Sequence, residues 1–366
     1  ENEKFVLLSF DVEHIYRHST IERYWVLDLE KNEVRLLKKE GKQRHATFSS
    51  DGSKIAYVEG NDLFVQDYKT GAETQITRDG EKNKIINGYA DWVYEEEFAF
   101  DRAFSWSPDG SKMAYYRFDE SNVREFNMQE FTGLYPEDYL YKYPKAGEEN
   151  SKVTIHVYDL AKAKSTELKL GEYEYIPRIK WTKTSQFLAV MKMPRLQNEL
   201  EILLVETETF ATKPIYKETS LTYIEISDDL TFFGDNAGFI WKSEKSGFFH
   251  LYRYDMKGKN EKQITKGNWE VRDFEGYDPK SKRLFFTASK NKPTDTEVFS
   301  VGLDGGEPML LSPSSGSSRA SFSATFEYFI LYHQDANSAL EVTLHAMNDR
   351  SFEPRVLEDN HELKEL

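Results

Sequence analysis

Cysteine is absent from the 366-residue chain. That excludes disulfides, thiolate zinc sites and a cysteine nucleophile, and leaves the redox compartment undecided. Long apolar runs are missing too, so no membrane-spanning helix is expected within it. Glu1 is followed by Asn2, Glu3 and Lys4, which is no signal-peptide pattern, and without an initiator methionine residue 1 is not expected to be the biological start. Basic charge is in deficit: 48 Lys and Arg stand against 63 Asp and Glu, for a net charge of −15. With no Lys/Arg-rich patch, a nucleic-acid partner is not expected. His14 and His18 have i, i+4 spacing but lie in a segment that reads as strand and loop, with no H-E-x-x-H. An EF-hand-like ladder of oxygen ligands is lacking as well, and neither metal nor cofactor is expected. No G-x-S-x-G elbow occurs, and the serine-rich Pro313–Ser318 lacks that spacing, so no serine nucleophile is expected here.

Aromatic residues are plentiful, at 14% with 22 Tyr and 25 Phe, which favours strands over disorder. They recur in a pattern. An alternating apolar segment meets a turn of Asp, Lys, Gly or Asn, and a second alternating segment follows, as in a β-hairpin. The copies are Trp25–Leu37, Leu63–Thr77, Ile155–Leu170, Ile202–Ile215, Leu251–Thr265, Val298–Ser312 and Leu344–Leu357. Several are preceded by a second motif: FSSDGSKIAYV at Phe48–Val58 and WSPDGSKMAYY at Trp106–Tyr116 are near-duplicates, diluted at Trp181–Met191 and Tyr277–Ala288. The Asp-Gly pair supplies a tight turn and the run after it a buried inner strand. Two hairpins per unit make a four-stranded antiparallel sheet.

Asp159 and Glu206 are 47 residues apart, Glu206 and Asp255 49, and Asp255 and Asp304 49. Four-stranded repeats of about that length indicate the blades of a β-propeller, each unable to bury its faces alone. Residues 1–366 are therefore expected to form one all-β propeller domain. The chain begins inside a blade, at the strand-like Phe5–Phe10. Seven hairpin copies fit either seven blades or eight with the first missing. One interval is doubled, because 92 residues separate Asp67 from Asp159. The excess lies in insertions at Asn87–Phe100 and Ser121–Asn150, and insertions in repeat proteins commonly carry function.

The first insertion holds Glu95, Glu96 and Glu97 behind Asp91-Trp92-Val93-Tyr94. In a strand, adjacent side chains point to opposite faces, whereas in a helical turn they lie about 100° apart and converge more readily. Asp91 suits an N-cap, so a short helix standing off a blade is expected. Crowded carboxylates raise one another's pKa unless a cation compensates. A metal, an Arg or Lys, and an ammonium group are the compensators, and a solvated acidic turn is the plain alternative.

The string NGYADWVYEEEFAFDRAFSWSPDGSKMAY at Asn87–Tyr115 closely resembles the propeller of the dipeptidyl peptidase IV branch of the prolyl oligopeptidase superfamily. So do RHSTIERYWVLDL (Arg17–Leu29), YKYPKAGEEN (Tyr141–Asn150), ITKGNWEV (Ile264–Val271) and RVLEDNHEL (Arg355–Leu363), collinearly over nearly the whole chain. The resemblance implies an eight-bladed propeller, here lacking its first blade, that caps an α/β-hydrolase domain lying beyond Leu366.

It further implies that Glu96 and Glu97 bind the α-ammonium group of a peptide with a free N-terminus, and that Arg17 partners them and reaches the substrate carbonyl region. Tyr94, Glu95, Phe100 and Trp92 are expected around that pocket as its wall, with Phe100 where many relatives carry a small polar residue. The second insertion matches the arm that in this family helps build a homodimer, so Phe126, Phe131, Tyr135 and Tyr139 are expected as contacts. The implied activity is release of N-terminal Xaa-Pro or Xaa-Ala dipeptides by a periplasmic, secreted or cell-surface serine peptidase, this chain being inactive alone. The alternative is a non-catalytic propeller scaffold for protein partners.

Overall fold

The computed structural model describes residues 4–349 and 351–364. Its regular structure is nearly all strand, arranged as antiparallel sheets that follow one another along the chain. The residues group into two compact units, Glu1–Lys213 with Leu221–Ile226, and Pro214–Ser220 with Ser227–Leu366.

In the first unit the opening sheet has three strands, Phe5–His14, Thr20–Asp28 and Glu33–Leu36. The second has four, Arg44–Phe48, Lys54–Glu59, Asp62–Asp67 and Glu73–Gln75. Tyr24, Val26, Leu37, Ile55 and Tyr57 join these two sheets in one buried cluster. The second unit contains three four-stranded sheets, beginning at Thr231, Val271 and Ser317. Ile240, Leu251, Val271, Leu284, Phe286 and Phe299 form its main core.

The repeated hairpins of the sequence become paired strands in these sheets. Thr20–Asp28 pairs with Glu33–Leu36, Asp62–Asp67 with Glu73–Gln75, and Lys152–Asp159 with Lys164–Glu167. The second unit repeats the arrangement with His250–Asp255 and Lys262–Gln263, Glu297–Gly302 and Met309–Leu310, and Ser338–Ala346 and Arg355–Glu358. The near-duplicate motifs also share their turn chemistry. Asp51 accepts from the Ser49 hydroxyl at 2.6 Å and the Ser53 amide at 3.0 Å, with Gly52 at φ +70°. Asp109 does the same with Ser107 at 2.8 Å and Ser111 at 2.9 Å, with Gly110 at φ +68°. Each carboxylate serves as a local acceptor that closes the turn, and a left-handed glycine follows without steric cost.

The third sheet departs from the pattern in a way that builds the candidate site. Its strand Lys112–Asp119 pairs on one side with Lys152–Asp159 and on the other with two stubs, Ile85–Asn87 and Phe104–Trp106. Asn87 faces Arg117 and Phe104 faces Tyr115. A single edge strand is thus interrupted, and the chain between the stubs is ejected from the sheet. Its neck is pinched by backbone bonds from Ala90 to Asp101 at 2.8 Å and from Ala103 to Gly88 at 3.1 Å. Gly88 has φ +82°, and a Cβ there would lie 3.0 Å from Val58 and 3.1 Å from Leu63. Only glycine fits that close approach unstrained. The ejected segment carries the helix α1 (Trp92–Glu97). The second insertion forms a separate two-stranded hairpin, Glu125–Glu130 with Glu137–Lys142.

Candidate functional site

The helix α1 starts as its residues require. Asp91 has extended backbone angles and its carboxylate accepts from the Tyr94 amide at 2.9 Å, an N-cap that satisfies one free donor of the first turn. The Ser151 hydroxyl donates to the other oxygen of Asp91 at 2.5 Å. Burial still holds the Asp91 carboxyl above the ordinary range, against the lowering effect of these bonds. Nearby Glu120 is pushed up to about 7, by burial first and then by the Asp91 carboxylate, with Lys142 opposing.

Tyr94 anchors the helix. Its ring lies among Phe98, Phe100 and Phe118, with centroids 5.0, 5.7 and 5.0 Å away, and its hydroxyl accepts from the Ile176 amide at 2.9 Å. Rotating about 100° per residue, the helix then gives its three glutamates three different surroundings. Glu95 is 1% exposed, and its Oε1 accepts from the backbone amides of His18 at 2.7 Å and Ser19 at 2.8 Å. Glu96 is partly covered and meets Arg17, whose Nε lies 3.1 Å from Oε2 and 3.3 Å from Oε1. Glu97 is exposed and lines a cavity of about 750 Å³ with Trp92, Phe98, Tyr143, Tyr175 and Arg195. That volume lies within the usual range for small-molecule pockets.

Arg17 sits in the five-residue loop between the first two strands. The loop closes on itself through the Ile15 amide and Ser19 carbonyl at 2.9 Å. It also touches the inserted hairpin: the Tyr139 hydroxyl donates to the Ile15 carbonyl at 3.3 Å, and the Tyr16 and Tyr141 rings are 5.6 Å apart.

Several expected positions differ from this arrangement. Tyr94 and Glu95 were expected on the pocket wall, yet both are fully buried beneath it, because Tyr94 fills the aromatic core and Glu95 is spent on backbone amides. Trp92 does line the cavity, its ring tilted by 50° against that of Tyr143 with centroids 4.1 Å apart. Phe100 is half-buried against Tyr94 and Tyr116, with the Arg178 guanidinium 5.4 Å above its ring. On the inserted hairpin, Phe131 is 75% and Tyr135 79% exposed. Phe126 instead packs on Tyr143, and Tyr139 turns to the arginine loop. Tyr175, Arg195, Asn150 and Gln197 also line the cavity, and sequence reasoning missed them. Asn150 closes the Tyr141–Asn150 string, whereas Tyr175, Arg195 and Gln197 lie at least 78 positions beyond Glu97 and carry no local motif that would have marked them. Among the described residues, no three His, Asp or Glu side chains are grouped so as to hold a metal ion.

An all-β chain of propeller-type sheets, bearing an ejected helix with one carboxylate paired to an arginine and the next open to a cavity, defines the class. The family model for the dipeptidyl peptidase IV (DPP IV) N-terminal region matches residues 1–340, and the chain belongs to that family. It is 32% identical over 342 residues to dipeptidyl peptidase 4 of Trichophyton tonsurans, covering 88% of this chain and 44% of that protein. Against the inactive dipeptidyl peptidase 10 of Mus musculus it is 29% identical over 395 residues, covering 99% and 49%. The crystal structure of Porphyromonas gingivalis dipeptidyl peptidase 4 superposes with a TM-score of 0.92 at 37% identity, over 99% of this chain and 52% of that one. The chain thus spans about half the length of the relatives it matches.

Proposed function

We propose that this chain is the substrate-recognition part of an exopeptidase that removes dipeptides from free N-termini. In this reading Glu96 and Glu97 receive the α-ammonium group, and Arg17 contacts the first carbonyl region while partnering Glu96. The serine nucleophile and its hydrolase domain belong to the remainder of a longer protein. The observation that carries the reading is the Arg17–Glu96 pair with Glu97 left exposed at the cavity. Arg17 formally neutralises one of these two carboxylates, so the pair retains a negative charge that an ammonium group complements. An α-amino group has a pKa of about 7.7–8.0, and neighbouring carboxylates raise it further, whereas an internal peptide amide offers no such charge. Holding the amino end at a fixed distance from a nucleophile limits cleavage to the second peptide bond and supplies positioning as well as affinity.

The reading extends to a periplasmic, secreted or cell-surface location and to a homodimer built partly through the inserted hairpin. A second reading, a non-catalytic propeller that binds protein partners, is favoured by the similarity to the inactive dipeptidyl peptidase 10. Calorimetric titration of the chain with the tripeptide Ala-Pro-Ala and its N-acetylated form separates them. Amino-end recognition requires the free peptide to bind at least about tenfold more tightly, a difference of about 1.4 kcal/mol. Equal affinity for the two removes the exopeptidase reading.

A further inference from the structure

Glu95 is the one member of the triplet that the proposed ammonium site does not use, and its surroundings are unlike those of its neighbours. It is 1% exposed, none of the ion pairs among the described residues involves it, and its Oε2 is buried without a hydrogen-bond partner among them. The hydrogen bonds it does accept, both at Oε1, come from two consecutive backbone amides, His18 and Ser19. These immediately follow Arg17. Within the loop itself, the Ile15 and Tyr16 amides are satisfied by Ser19, through its carbonyl and its hydroxyl at 3.3 Å. The amides of His18 and Ser19 therefore depend on Glu95.

We infer that Glu95 is a positioning residue: its buried carboxylate clamps the backbone of the arginine loop to α1 and so sets the Arg17 guanidinium against Glu96. This rests on the proposed amino-end site and adds to it the element that holds it together. The argument is one of relative strength. The Arg17 side chain is 71% exposed, and an ion pair of that kind is too weak and too screened to order a loop. A carboxylate accepting two backbone amides away from water is a stronger restraint, since charge-assisted bonds exceed neutral ones and a buried amide left unmade is costly. Glu95 and Glu96 are adjacent on one helix. Backbone and side chain of the loop are thus gripped by successive residues, and the register between guanidinium and carboxylates is fixed without either glutamate moving.

The test compares Glu95→Ala, Glu95→Asp and Glu95→Gln in the whole chain. Hydrogen exchange at the His18 and Ser19 amides is read beside core amides such as Val26 and Ile55, together with affinity for Ala-Pro-Ala. The Asp variant keeps the charge but withdraws the carboxylate by one bond, about 1.5 Å, while Gln keeps an acceptor at the same reach. Glu95→Ala and Glu95→Asp are expected to speed exchange at both loop amides by about tenfold or more with core amides unchanged, and to weaken the tripeptide by about tenfold, as loss of charge-assisted bonds implies. Glu95→Gln is expected to fall between the parent and Glu95→Ala on both readouts, because the acceptor is retained but its charge is lost. If Glu95→Ala fails to fold, Glu95→Asp carries the test alone. Unchanged loop exchange overturns the clamp, and freed amides with unchanged affinity overturn its positioning role. Failure of the parent chain to distinguish free from acetylated tripeptide sinks the proposed function instead, while the exchange readout still judges the clamp.

Discussion

The Nε of Arg17 lies 3.1 Å from Oε2 of Glu96, although 79 positions separate the two residues in the chain. The arginine comes from a loop between strands of the first sheet, and the glutamate from a helix ejected between two stubs of the third. Neither element would place its side chain there alone, and the contact exists because both belong to the same compact unit.

That pair contributes little to stability, because the arginine is largely solvated. Arg17→Ala is expected to change unfolding free energy by less than about 1 kcal/mol. The same substitution is expected to weaken binding of Ala-Pro-Ala by about tenfold or more, since ligand binding covers the pair and strengthens it. Parallel denaturation and calorimetry check this, and a loss of stability matching the loss of binding would mark Arg17 as structural.

Asp91 tests the support of the helix. Asp91→Ala removes the cap and leaves Ser151 unpaired, and should cost about 2 kcal/mol. Asp91→Asn keeps an acceptor for the Tyr94 amide and removes a charge whose burial already raises its pKa. Its cost near neutral pH is expected to be well below that of Ala, as denaturant titration of the two variants would show.

Glu120 carries a pH signature of definite sign. Its carboxyl is raised from the ordinary value to about 7. Between about pH 4.5 and 7 the unfolded chain releases this proton while the folded one retains it, so this group's contribution falls as pH rises. Glu120→Gln should therefore stabilise the chain by about 2–3 kcal/mol above pH 7, with the gain vanishing below about pH 4.5. Melting curves at pH 4.5, 6 and 8 for both proteins decide it, and a constant difference across that range would contradict the assignment.

The inserted hairpin separates two roles by position. Phe131, Leu134 and Tyr135 at its tip are 75, 91 and 79% exposed, so replacing all three with Ser should leave stability unchanged within about 0.5 kcal/mol. If the arm joins two copies, as proposed, sedimentation at rising concentration should show self-association in the parent and none in the triple variant. Tyr139→Phe, which removes the bond to the Ile15 carbonyl, should instead cost about 1 kcal/mol and leave the association unaltered.

Much of this was legible in the chain itself. The paired Asp51-Gly52 and Asp109-Gly110 turns, the hairpin repeats and the helix capped by Asp91 all depend on neighbours within a few residues. Local chemistry of that kind is written where it acts. The triplet Glu95-Glu96-Glu97 was visible as a cluster, but the division of labour within it was not, and Tyr94 and Glu95 were misplaced on the pocket wall. A helix of six residues turns its side chains toward whatever surrounds it, and those surroundings come from distant segments.

By itself, then, the sequence determined the strand alternation, the turns, the points of insertion and the cap, because each is settled by dihedral preference and hydrogen bonds of short reach. Only the tertiary structure decided which glutamate is buried on the amides of His18 and Ser19, which meets Arg17 and which opens on a cavity with Tyr175 and Arg195. Charge and burial are properties of the assembled surroundings, and three identical side chains in a row acquire different chemistry only when other parts of the fold close around them.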